Sequence, residues 1–248
     1  MSSKKITLKD VGGCFEIKKQ LEMIAEARKL DNNQTPRMLY FYGIPGTGKS
    51  LTAKAFANEC GLEFNHIDLG YTFSLWYGEG EQNLKKELDQ EGVIILDEFE
   101  RISQYNSTNL LNIIAEEIDN YKANKKGIFI ATSNNLEINP KFKKTGRFDM
   151  FFNFKEPDYP EIADIFSRRL RDMQKQAEVQ PYNGVNVSTI AKAIYRISRP
   201  ESPIVGSDIV EIVRRTHEKK WNQYMKTGVF DKIKTDDFLK TVQEYNKV

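Results

Sequence analysis

The stretch Gly43-Ile44-Pro45-Gly46-Thr47-Gly48-Lys49-Ser50 decides how the rest of the chain is read. It matches the spacing G-x-x-x-x-G-K-[ST] at every fixed position. It directly follows the apolar run Met38 to Tyr42, which reads as a buried strand, and it opens a segment of helical composition from Ser50 to Glu59. A strand, a glycine loop and a helix start in that order aim backbone N–H groups and the positive end of a helix at an anion. Glycines at 43, 46 and 48 let the backbone curl around a phosphate, Lys49 can reach the β and γ phosphates, and the Ser50 hydroxyl can ligate magnesium. A nucleotide carrying a polyphosphate, with Mg2+, is therefore expected at this loop.

Outward from this loop, four more short apolar runs bounded by turn residues read as strands: Glu63 to Ile67, Val93 to Leu96, Gly127 to Thr132 and Phe151 to Phe154. Helical spacing lies between them, in Glu79 to Asp89 and in Asn109 to Tyr121. Strands alternating with helices imply parallel pairing through crossovers, and hence an α/β fold in which a five-stranded parallel sheet is sandwiched by helices. After Phe154 the segment KEPDYPE brings two prolines, and no convincing strand follows. Apolar residues then recur at helix spacing, first at Ile162, Ile165, Phe166 and Leu170, then at Ile190, Ile194 and Ile197. The same spacing returns at Ile209, Ile212 and Val213, and at Phe238, Val242 and Tyr245. The stretch Arg199 to Gly206 reads as a loop. A boundary near Pro157 divides an α/β core, residues 1–156, from an all-helical C-terminal domain, residues 157–248.

Two further elements carry chemistry. VIILDE, Val93 to Glu98, is a buried strand ending in adjacent carboxylates beside the phosphate loop. Asp97 can hold magnesium there, and Glu98 can orient and deprotonate an attacking water. GIFIATSNN ends the next strand, where the Asn134 amide can position that water. His66 and His217 have no partner at ligand spacing and read as structural or solvated.

With these residues in place the chain resembles the AAA ATPases in the narrow sense, the group of the proteasomal ATPases, FtsH and the N-ethylmaleimide-sensitive fusion factor. Asp10 to Gly13 is similar to the DVGG segment of that family, which implies that the backbone near Val11 and Gly12 holds adenine. The resemblance implies ATP as that nucleotide, with contacts from Pro45, Gly46, Thr47, Gly48, Lys49, Ser50 and Leu51. In the helical part VGSDIVEIV resembles the turn of the family's lid domain, which adds Gly206 and Ser207. INPKFKKTGRFD, Ile138 to Asp149, is similar to the segment that carries arginine fingers, so Arg147 corresponds to a finger reaching a neighbour's γ phosphate. Lys144 stands where the family has a first arginine, keeping charge without the planar fork. SLWYGEGEQNL resembles the first pore loop, with Trp76, Tyr77 and Gly78 facing a channel and gripping a protein substrate. Glu98, Asn134, Arg147 and Lys49 are thus the candidate catalytic residues, and Ser50 and Asp97 the candidate metal ligands. The interval from Gly78 to Asp97 is shorter than usual in the family, which implies a trimmed helix there. With nine residues before Asp10, the expectation is a minimal motor without a recruiting domain.

The resemblance implies a homo-oligomer, a hexamer in most of the family, that remodels, unfolds or disassembles a protein whose identity the sequence does not give. A different reading is a nucleic-acid loader or a transposition helper, motivated by a pI of about 8.3 and by basic pairs such as Arg214-Arg215. A third is an assembly factor that binds its partner without threading it. Composition bounds these choices. Over 248 residues, 37 basic against 35 acidic side chains give +2 with no block of like charge, so nucleic acid is left open and not favoured. No apolar run approaches the roughly 20 residues of a membrane span. Two widely spaced cysteines and the lack of a leader pattern lead to the expectation of a cytoplasmic protein.

Overall fold

The computed structural model describes residues 5–30, 35–70, 80–105, 108–124, 127–135, 140, 142, 146–177 and 180–245, with backbone only for 80–83, 103–105 and 108–110. The chain divides into two compact units, one of Met1–Val11 with Glu16–Lys155 and the other of Gly12–Phe15 with Glu156–Val248.

In the first unit a parallel sheet is formed by β1 (Met38–Gly43), β2 (Phe64–Asp68), β3 (Gly92–Asp97), β4 (Gly127–Ser133) and β5 (Met150–Phe154), in the order β2-β3-β4-β1-β5. The inner strands β3 and β4 carry apolar runs, Val93 to Leu96 and Ile128 to Ala131, that are fully buried, whereas the edge strands β2 and β5 are only partly buried. This is what a sheet covered on both faces requires of its middle and allows at its edges. Among the described residues of this unit are the α-helices α1 (Phe15–Leu30), α2 (Lys49–Glu59), α3 (Gly80–Leu88) and α4 (Thr108–Asn124). The first residue of α1 groups with the second unit, and α1 is a helix beyond those expected from the sequence. Its apolar stripe of Leu21, Ile24 and Ala25 is narrow and set among charges, so the periodicity is weak although the buried face is real. Helix α3 has nine residues.

The strand order places the loop after β1 at the point where crossovers diverge. The connection from β1 leads across the sheet to β2, and that from β4 leads to β5 on the other side of β1. A crevice opens at the carboxyl ends of strands at such a switch point. Close approach is needed there: Gly43 has φ +143°, and a Cβ on it would lie 2.1 Å from the Phe154 carbonyl oxygen of β5. Only glycine lets the strand pass and turn into the loop.

The second unit is helical, with α5 (Tyr159–Gln176), α6 (Val187–Ile197), α7 (Gly206–Thr227) and α8 (Thr235–Gln243). The proline-rich segment that reads as a turn is also the helix signal. Asp158 caps α5 by accepting from the Glu161 N–H at 2.9 Å, while Glu161 accepts from the Asp158 N–H at 3.2 Å, with Pro160 in the first turn. Ile162, Phe166, Ile190, Ile194, Ile209, Ile212 and Phe238 form its core. Among the described residues of this unit the only strand-like pairings are the isolated bridges Tyr182 with Ile233 and Arg199 with Ser202. No described helix is long and apolar enough to cross a membrane.

Candidate functional site

Local sequence fixes the phosphate loop. Gly46 and Gly48 have φ of +81° and +91°, and Gly48 is the left-handed residue from which α2 starts. The Gly48 carbonyl accepts from the Thr52 N–H at 2.8 Å and from its hydroxyl at 2.9 Å, which locks the first turn. The Thr47 hydroxyl donates to the Ile44 carbonyl at 2.8 Å, closing the loop on itself. Pro45, Gly46 and Leu51 are exposed, while Thr47 and Lys49 are buried. The Lys49 ammonium donates to the Gly43 and Ile44 carbonyls at 3.0 and 2.9 Å. Burial pulls its pKa below the usual lysine value, against the opposing charges of Glu100 and Asp97.

Across the crevice Asp97 ends β3. Its Oδ1 accepts from the Ser50 hydroxyl at 2.8 Å and from the Thr132 hydroxyl, and its Oδ2 meets His66 Nε2 at 3.0 Å. Burial pushes the carboxyl upward, but bonds from His66, Thr132 and Ser50 together outweigh it and bring the pKa down to about 2. A glycine-rich loop of backbone amides, a primary amine, a hydroxyl and an ionised carboxylate suit a polyphosphate with a hard divalent cation. Among the described residues no three His, Cys, Asp or Glu side chains form a metal cage. Magnesium would thus be held by Ser50 and Asp97, with phosphate oxygens completing its shell, the ordinary arrangement for this ion.

Glu98 follows in the left-handed region at φ +57°, with its N–H on the Thr132 hydroxyl at 3.4 Å. Its carboxylate pairs with Arg101 and packs over Gly70, where a Cβ would come within 2.6 Å of Glu98 Oε2. Asn134 stands directly after β4, beside the loop because Ser133 pairs with Tyr42 of β1. Arg147 is turned inward: its Nε and Nη2 donate to Asp119 of α4 at 3.0 and 2.8 Å, and its side chain is 11% exposed. That bidentate bond raises the guanidinium pKa further.

The remaining predicted residues fall in several places. Val11 is buried and its carbonyl accepts from Lys18 Nζ at 2.7 Å. In the second unit Gly12 lies so close to α5 that a Cβ would sit 2.8 Å from the Ile165 Cα, and the Gly13 N–H donates to Asp164 at 3.0 Å. Gly206 and Ser207 open α7, where Asp208 accepts from the Val205 N–H and the Tyr245 hydroxyl, both at 2.8 Å. Trp76, Tyr77, Gly78 and Lys144 lie outside the described residues. His66 and Thr132 were not singled out as site residues by the sequence. His66, expected to be structural or solvated, bonds to Asp97. Register could have found both. Thr132 comes one step beyond the Leu96–Ala131 pair and so stands opposite Asp97, and His66 precedes the Asp68–Asp97 pair by two residues on the same face.

The segment leading to β5 also holds β1 in place. Asp149 Oδ2 accepts from the Arg37 and Met38 N–H groups at 2.9 and 3.0 Å, and Oδ1 accepts from Lys122. Burial alone would raise this carboxyl, but Lys122 and the two amides hold it below the ordinary aspartate value. A depressed carboxyl stabilises above its unfolded pKa of about 3.9, and that contribution is lost as pH falls through the folded value. Urea unfolding should therefore find Asp149→Ala less stable than wild type by about 2 kcal/mol at pH 7, allowing for solvent screening. The gap should narrow as pH falls below the ordinary aspartate range, where wild type loses the charge as well.

A lysine loop at a strand end, its hydroxyl bonded to a carboxylate on another strand of the same sheet, defines a phosphate-loop nucleotide-binding fold. More particularly, residues 39–156 match the model of the ATPase family associated with various cellular activities, AAA. A Plasmodium falciparum (isolate 3D7) protein named as a cell division cycle ATPase is 28% identical over 221 residues, covering 76% of this chain. The chain spans 18% of that relative's length.

Proposed function

We propose that the protein binds ATP with Mg2+ and hydrolyses it, working as a ring, a hexamer as in most of the family, that remodels a protein partner. Residues 1–156 are its ATPase core and residues 157–248 a lid. The observation that carries the reading is the convergence of Lys49, the Ser50–Asp97 pair at 2.8 Å, Glu98 and Asn134 on the carboxyl edge of one sheet. In this reading the loop amides and Lys49 bind and orient the phosphates, Glu98 takes the proton of the attacking water, Asn134 orients that water, and Arg147 of a neighbouring copy stabilises transition-state charge. Magnesium, when bound, screens the phosphate charge. The kinship with an AAA domain and with a named ATPase supports the chemistry. The protein-remodelling half rests on the resemblance of Trp76, Tyr77 and Gly78 to a substrate-gripping loop.

The test compares Mg-dependent ATP turnover alone, with an unfolded polypeptide and with DNA. Stimulation by the polypeptide of about three-fold or more, lost in Trp76→Ala, is the expected result for aromatics that grip through contact area. Stimulation by DNA alone would replace the reading with that of a nucleic-acid loader, and an unaffected Trp76→Ala would favour a partner bound without threading.

A further inference from the structure

Three side chains hold Asp97, and the function proposed above gives a role to only one of them, Ser50. Ser50 and Thr132 both donate to Oδ1, so that oxygen is fixed from the start of α2 and from β4. Among the described residues Oδ2 meets His66 Nε2 alone, at 3.0 Å, and His66 belongs to the edge strand β2. A carboxylate only accepts, so the imidazole is the donor and carries its proton on Nε2.

The register of the sheet builds this contact. Asp68 of β2 pairs with Asp97 and His66 pairs with Ile95, so the His66 side chain shares a face with Asp97. Its neighbours in β2 turn to the opposite face, where Ile67 is buried and Asn65 Nδ2 donates to Glu87 Oε2 of α3 at 2.6 Å. A slip of one residue would exchange the two faces, so the packing of Ile67 and the bond of Asn65 decide which way His66 points. The imidazole is 26% exposed, and cutting it back opens no cavity in the core.

A carboxylate anchored at one oxygen can still turn about its terminal torsion, which is broad for aspartate. One held at both oxygens cannot. Magnesium takes oxygen ligands in near-octahedral directions and tolerates little deviation, so the orientation of a candidate ligand matters to it. We propose that His66 is a positioning residue for the metal: by donating to Oδ2 it fixes the plane of the Asp97 carboxylate and leaves Oδ1, beside the Ser50 hydroxyl, as the oxygen offered to magnesium. This rests on the nucleotide and magnesium reading above. Because His66 acts through Asp97, nucleotide binding without metal does not depend on it.

The affinity for the non-hydrolysable analogue AMP-PNP is measured by calorimetry with saturating magnesium and again in EDTA, and the ratio of the two gives the tightening due to the metal. His66→Ala should cut that tightening by about ten-fold, the order that losing a ligand's orienting partner costs, and leave the affinity in EDTA within about two-fold of wild type. His66→Gln, whose side-chain amide can donate from nearly the place of the imidazole Nε2, should restore the tightening to within about three-fold of wild type. If His66 serves only to hold β2 on the sheet, both variants lose thermal stability and affinity falls as much in EDTA as in magnesium. That result overturns the inference while leaving nucleotide binding in place, as does an unchanged tightening in His66→Ala or a loss that His66→Gln fails to restore. A wild-type protein whose AMP-PNP affinity ignores magnesium overturns the metal half of the proposed function and this inference with it.

Discussion

Replacing Glu98 by Gln is expected to lower ATP turnover by about a thousand-fold while leaving nucleotide affinity within a few-fold of wild type, because a general base contributes on that order and an amide of the same shape cannot accept the proton. The measurement is phosphate release under saturating ATP, set beside an equilibrium titration with nucleotide. Structure sharpens the reason. Glu98 is not part of the cradle: Lys49, Ser50 and Asp97 make the contacts that would hold phosphate and cation, and the Glu98 carboxylate lies with Arg101 beyond them. Losing its charge therefore removes chemistry and spares binding. A left-handed φ of +57° at a non-glycine residue costs on the order of 1 kcal/mol and needs a compensating contact. The Thr132 hydroxyl supplies one by accepting from the Glu98 N–H. Turnover that survives Glu98→Gln would mean that another group activates water. Affinity lost in parallel with turnover would mean that Glu98 holds the nucleotide.

Much of this site is legible in the sequence because its parts are local. GIPGTGKS carries its own geometry, since glycines with positive φ and a lysine at a helix start need nothing distant to be recognised. VIILDE is legible for a similar reason, as a strand too apolar to lie anywhere but in the middle of a sheet. What escaped depends on neighbours across the sheet. The pairing of His66 and Thr132 with Asp97 is fixed by β2 and β4 flanking β3, and strand order cannot be read from any one segment. Helix α1 was missed where charge crowds a narrow stripe, which lets tertiary burial decide what propensity leaves open.

Arg147 is where sequence and structure pull apart, and its replacement by Ala should lower turnover of the assembled protein by about a hundred-fold, the loss typical of one charge-stabilising donor. The fork that suits a phosphate also suits a carboxylate, and here it is spent on Asp119 of the same chain. To act on a neighbour's nucleotide Arg147 must leave Asp119, an exchange of one bidentate anion for another that costs little once the phosphate arrives. Asp119 is half exposed and stays solvated when the arginine departs, so it can serve as a resting place. A purely structural bridge predicts something different, namely that Arg147→Ala and Asp119→Asn lower thermal stability alike and that turnover falls only as far as folding does. Mixing separates the two. Arg147→Ala retains Glu98, and Glu98→Gln retains Arg147, so in random mixed rings about a quarter of interfaces join an intact base to an intact arginine from the next copy. Recovery of activity on mixing two nearly inactive proteins is the expected outcome, and it has no source if Arg147 serves only its own chain. Asp119→Asn should then keep turnover, since freeing the arginine removes a competitor and no part of the site.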